Sequence, residues 1–136
     1  MTPEELISLA KQAMLHAYVP YSHYMVGAAL LCADGKVYQG CNIENAAYSP
    51  TNCAERTAIF KAVYDGERDF RAIAVVGGKD GVMTGAFPPC GVCRQVMQEF
   101  CGPDFLIYLG RPDGYDALTL EQLLPYGFQA EKFMKD

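Results

Sequence analysis

Leu6, Ile7, Ala10, Ala13, Met14 and Ala17 recur at helical spacing near the N-terminus. That period lays one apolar stripe along a helix. Thr2 suits the N-cap, Pro3 the first helical position, and Glu5 the return bond of a capping box. The pattern predicts a helix running to about Tyr18 and stopped by Pro20. It then changes character. Residues 25–33 are continuously apolar, Asp34-Gly35 is a hairpin signal, and residues 36–41 make a second predicted strand. Residues 42–50 read as loop. Ala54, Ala58, Ile59, Ala62 and Val63 return to helical spacing, with Thr51 or Asn52 placed to cap a helix beginning near Cys53 and Gly66 beyond its end.

Residues 71–76 are β-branched and apolar, which predicts a strand, and residues 77–89 form a glycine-rich loop. A helix is expected from about Cys90 until shortly before Gly102-Pro103, and another strand over 105–109. Asp113-Gly114 turns the chain, and Thr119 can cap a short helix ending at Leu124, before Pro125. A hairpin followed by strands separated by helices implies an α/β fold, with a mixed sheet carrying helices on its faces. No repeat, linker or low-complexity segment divides the chain, and 136 residues suit a single domain, 1–136.

Composition narrows the function. The hydrophobic fraction of 51% supports a packed core and excludes disorder. A formal charge of −5 opposes binding to polynucleotides, which reward an excess of Lys and Arg, and leaves a small uncharged ligand open. The acidic start, Met1-Thr2-Pro3-Glu4-Glu5, is unlike a signal peptide, and the apolar run over 25–33 is too short to span a membrane. The expectation is a soluble, cytoplasmic protein without a membrane partner. In a reducing compartment its six cysteines, at 32, 41, 53, 90, 93 and 101, read as buried apolar residues, metal ligands or nucleophiles rather than disulfides.

Cys90 and Cys93 are three apart at a predicted helix start, so both sulfurs fall on one side of its first turn. Cys53 opens another predicted helix. Thiolates are stabilised at the positive end of a helix dipole, and three converging thiolates suit zinc. The count is the informative feature. Structural zinc sites are closed by four protein ligands, whereas three leave a position for water, the catalytic arrangement. Glu55 follows two residues after Cys53. In a first turn both side chains reach a site off the end of the helix axis, where a carboxylate can take a proton from water and return it to substrate. Three thiolates over-neutralise a zinc ion, and Arg56 can offset the excess by hydrogen-bonding to sulfur.

Cys53-Ala54-Glu55-Arg56 followed downstream by Pro89-Cys90-Gly91-Val92-Cys93-Arg94-Gln95 resembles the zinc nucleobase deaminases. With Pro20-Tyr21-Ser22, Val26-Gly27-Ala28-Ala29-Leu30, the stretch from Gly40 through Asn42-Ile43-Glu44-Asn45 to Ser49, and Leu123-Leu124-Pro125, the chain is similar over nearly its whole length to the small homotetrameric cytidine deaminases. The resemblance implies a three-layer α/β/α cytidine-deaminase-like fold with about five strands and one zinc per chain. The activity it implies is hydrolytic deamination of cytidine and deoxycytidine in pyrimidine salvage. It implies that Cys53, Cys90 and Cys93 hold the metal, that Glu55 is catalytic, and that Asn42 and Glu44 bind the ribose hydroxyls. It places the backbone of Ala54 at the pyrimidine carbonyl and an aromatic at position 24, here Tyr24, along the pocket. Phe128, Ala46 and Tyr48 would complete sites of neighbouring subunits, and the aromatic tail (Tyr126, Phe128, Phe133) is compatible with such an assembly. Two rivals stand beside this: a deaminase of another small aminopyrimidine nucleoside, such as a blasticidin-type substrate, and a non-enzymatic zinc module with His23 or Cys101 as fourth ligand.

Overall fold

The computed structural model describes residues 1–130; Phe133 lies outside them. Helix α1 (Pro3–Met14) opens on the expected capping box: the Glu5 N–H donates to Thr2 Oγ1 at 3.1 Å, and the Thr2 N–H to Glu5 Oε1 at 2.9 Å. The helix stops at Met14, short of Tyr18. The N–H groups of Leu15, His16 and Ala17 bond to carbonyls only three residues back, and the Tyr18 N–H donates to the Asn42 carbonyl. Pairing of Tyr18 with the 42–44 segment outcompetes the helical period.

Strands β1 (Tyr24–Cys32) and β2 (Val37–Cys41) form the predicted antiparallel hairpin. β3 (Phe70–Lys79) runs antiparallel to the other edge of β1. β4 (Leu106–Arg111) is parallel to β3, and β5 (Gly114–Thr119) antiparallel to β4, giving the order β2-β1-β3-β4-β5. β3 continues past Val76 through Gly77 and Gly78 to Lys79, so the expected glycine-rich loop begins later than residue 77. β5 has no counterpart in the sequence pattern. It is an edge strand without buried–exposed alternation, so a two-residue period has nothing to report.

Side-chain alternation sorts the core into two layers. Val26, Ala28, Leu30, Ile73 and Val75 face α2 (Ala54–Tyr64) and α3 (Gly91–Phe100), meeting Ala58, Ile59, Ala62 and Met97. Ala29, Ala72, Ala74 and Val76 face Leu6, Ile7, Ala10 and Met14 of α1. The result is the mixed five-stranded sheet between helical layers that the sequence and its resemblance implied. A short α4 (Leu120–Leu123) carries its own capping box at Thr119.

The close seating of α2 depends on Gly40 of β2. A Cβ there would lie 2.5 Å from the Ala54 carbonyl and 2.6 Å from the Ala58 nitrogen. The N-cap of α2 is Cys53, and its side chain makes no capping bond. Neither expected cap performs that role: Thr51 Oγ1 accepts the Asn45 N–H, and the Asn52 amide donates to Thr57 Oγ1. The first turn of α2 therefore has no side-chain cap. Among the described residues, no helix is long and apolar enough to cross a membrane.

Candidate metal centre and catalytic pocket

Cys53 and Cys90 are the N-cap residues of α2 and α3, and Cys93 lies in the first turn of α3. The fold thus points two helix starts at one place. The Cys53 and Cys90 sulfurs are 3.7 Å apart, those of Cys90 and Cys93 3.6 Å, and all three lie within 4.8 Å of one another. Zinc bound tetrahedrally at about 2.3 Å per thiolate requires sulfurs roughly 3.8 Å apart, so the donor set fits the ion in both chemistry and spacing. Among the described residues no fourth His, Cys, Asp or Glu joins this group, and His23 and Cys101 are not part of it. The three-ligand arrangement read from the sequence is present, and the closed structural site loses its fourth ligand.

Arg56 Nη2 donates to Cys53 Sγ at 3.2 Å, the sulfur contact expected of it. The Cys53 thiol is lowered to about 5, first by hydrogen bonding from Cys93 and then by Arg56, against the effect of burial. The Cys93 thiol is raised, because its S–H donates to the Cys53 sulfur and its surroundings are buried. The hydrogen bonds from Cys93 and Arg56 thus favour the thiolate form of Cys53.

Glu55 is the one buried charged side chain among the described residues, at 4% exposure. Burial pushes its carboxyl up to about 7, the Cys53 charge adds to the rise, and Arg56 opposes it. A carboxyl balanced between charged and neutral near pH 7 is suited to moving protons in both directions. The sequence supplied its position but not its burial.

Glu55, Cys53 and Cys90 line a cavity of about 190 Å³ that also takes in Ala54, Asn42 and Tyr24. The remaining wall is Val26, Phe87 and Pro88. Asn42 is spent in part on the sheet: its Oδ1 accepts the Val26 N–H and its Nδ2 donates to the Tyr24 carbonyl, each at 2.9 Å. One amide hydrogen and one lone-pair direction remain for a ligand. Glu44 lines a separate depression with Tyr21, Ser22, Tyr48 and Thr51. Its Oε1 accepts the N–H groups of Tyr21 and Ser22 at 3.0 and 3.1 Å, and hydrogen bonding from Ser22 holds its carboxyl below the usual range. Ser22 in turn accepts the Tyr24 N–H, connecting the two depressions. Ala46 and Phe128 are exposed and line neither of them.

Three residues contribute without a role assigned from the sequence: Arg94 and Gln95, which stand in the motif, and Phe87, which stands outside it. Arg94 donates from Nε to the Pro89 carbonyl at 2.8 Å and from Nη1 to the Leu123 carbonyl at 2.7 Å, so it braces the segment that presents Cys90. Gln95 Nε2 donates to the Phe128 carbonyl at 3.1 Å. Phe87 sits in a glycine-rich segment with no periodicity to mark it, and only its position just before Pro89-Cys90 signals the site.

Comparisons with known proteins agree with this geometry. Residues 1–109 match the family described as the cytidine and deoxycytidylate deaminase zinc-binding region. A cytidine deaminase of Sporosarcina psychrophila is 53% identical over 132 residues, covering 96% of this chain and 94% of the relative. One from Halalkalibacterium halodurans is also 53% identical, covering 96% and 97%. The crystal structure of cytidine deaminase from Burkholderia pseudomallei superposes with a TM-score of 0.88 at 47% identity, over 94% of this chain and all of that one. That of Mycobacterium tuberculosis superposes at 0.79 and 40% identity, covering 94% and 98%. With three thiolates, an adjoining buried glutamate and these matches, the chain belongs to the zinc-binding cytidine and deoxycytidylate deaminase family.

Proposed function

We propose that this protein hydrolyses the exocyclic amino group of cytidine and deoxycytidine, giving uridine or deoxyuridine and ammonia. The observation that carries this is the buried, proton-balanced carboxyl of Glu55 on the same small cavity as Cys53 and Cys90. Zinc held by Cys53, Cys90 and Cys93 would supply Lewis acidity that makes water a nucleophile at neutral pH. Glu55 takes one proton from the attacking water and delivers it to ring N3, then takes the second from the oxygen now bonded to C4 and passes it to the departing amino group. Ala54 is the first residue of α2, where backbone N–H groups lack an intrahelical partner, and its N–H is suited to the C2 carbonyl. The spare donor and acceptor of Asn42, with the second oxygen of Glu44, offer paired contacts for ribose hydroxyls. The Tyr24 ring borders the base.

Tyr48 and Phe128 are 75% and 55% exposed, which suits rings that act on a neighbouring copy. We propose a homotetramer with shared sites and a cytoplasmic role in pyrimidine salvage, supported by the likeness to cytidine deaminases over nearly the whole chain. The chain's charge of −5 favours a free nucleoside over a polynucleotide. The test is to incubate the zinc-loaded protein with cytidine, deoxycytidine and deoxycytidylate, following uridine-type product and ammonia. Turnover of the two nucleosides above the nucleotide is expected. Turnover of the nucleotide alone, or of none, would overturn the assignment.

A further inference from the structure

Phe87 lines the pocket, yet neither the motif nor the proposed mechanism has a use for it. Its ring is half-buried, and its centroid lies 6.1 Å from that of Tyr24, with the planes tilted by 41°. It rests on β3: a Cβ at Gly77 would lie 2.8 Å from Phe87 Cγ and 3.0 Å from Cδ1. Gly77 pairs with Val26, and both project to the sheet face that carries α2 and α3. Tyr24, Val26 and Phe87, followed by Pro88, therefore make one continuous apolar wall. The opposing groups come from the start of α2, where Ala54 and Glu55 present a backbone N–H and a carboxyl.

A cytosine ring has two unlike edges. N3 and the C2 carbonyl form the polar edge; C5–H and C6–H form the apolar edge. With C4 at the sulfurs and the polar edge on Glu55 and Ala54, C5–H is left against Tyr24, Phe87 and Pro88. We propose that Phe87, seated on Gly77, sets the width of the pocket at C5 and makes the enzyme discriminate against cytosine nucleosides substituted there. This rests on the cytidine reading given above. Because Gly77 has no side chain, the ring can withdraw toward the sheet far enough to admit C5–H; a methyl group at C5 meets the ring.

The test compares kcat/KM for 5-methylcytidine and cytidine in wild type, Phe87→Ala and Phe87→Val, each with its zinc content measured. One carbon more or less in an apolar pocket is worth roughly 10- to 200-fold in specificity. The 5-methylcytidine to cytidine ratio is expected to rise about tenfold or more in Phe87→Ala and by less in Phe87→Val. Gly77→Ala, which drives the ring into the pocket, is expected to lower the ratio. A purely structural role would depress both substrates together. If Phe87→Ala fails to retain zinc, Phe87→Val is read by the same ratio. A ratio within a few-fold of wild type in the folded variants, with cytidine still turned over, overturns the C5 wall alone. A wild-type enzyme inactive on cytidine overturns the substrate reading and the wall's position with it.

Discussion

Replacing Glu55 with glutamine is expected to stabilise the zinc-free fold while abolishing the proton carrier. The carboxyl has an ordinary value of 4.5 and is pushed up to about 7 by burial. That rise corresponds to roughly 3 kcal/mol between the protonation states. A folded-state value above the unfolded one means the fold prefers the neutral acid. The preference is fully present below 4.5 and is lost as pH rises through 7. Glutamine resembles the neutral acid at every pH. The two proteins should therefore be about equally stable near pH 4, and the glutamine protein should lead by on the order of 3 kcal/mol at pH 8. Cys53 titrates in both, and its repulsion of the Glu55 carboxylate is already counted in the rise to about 7. Urea denaturation of chelator-treated, reduced protein across this range measures the gap. A gap that does not change with pH, or a glutamine protein less stable at pH 8, would refute the burial argument.

Two other expectations follow from named contacts. In zinc-free protein at mildly acidic pH, iodoacetamide should modify Cys53, whose thiol is lowered to about 5, well before Cys101, which burial raises to about 12; peptide mapping showing equal labelling would contradict the charge assignment. Gly40→Ala places a carbon about 2.5 Å from the α2 backbone and should lower stability by about 1–3 kcal/mol, read as a fall in the denaturation midpoint; an unchanged midpoint would show that α2 is not seated as described.

The sequence is most explicit where chemistry and local geometry coincide. Thr2, Pro3 and Glu5 make a capping box that depends on nothing distant, and it forms as read. Cys90 and Cys93 needed only a helix start to become neighbours. Their meeting with Cys53 required the whole sheet, and was legible only because the residue types left little else for three such thiols to do. The burial of Glu55 was not legible, because it is set by the tertiary packing around the start of α2, which leaves no periodic signal. The same holds for Tyr18, drawn from the helix by Asn42, and for Phe87, whose place is set by Gly77. β5, an exposed edge, carries little hydrophobic information at all.

The central claim is that three cysteines hold one zinc and Glu55 moves the protons of deamination. It is tested most directly by measuring zinc content and cytidine turnover together in wild type and Glu55→Gln. One zinc per chain is expected in both, with turnover in the glutamine variant lower by roughly 100- to 10,000-fold. A Glu55→Gln enzyme that retains zinc and deaminates cytidine at the wild-type rate would contradict it.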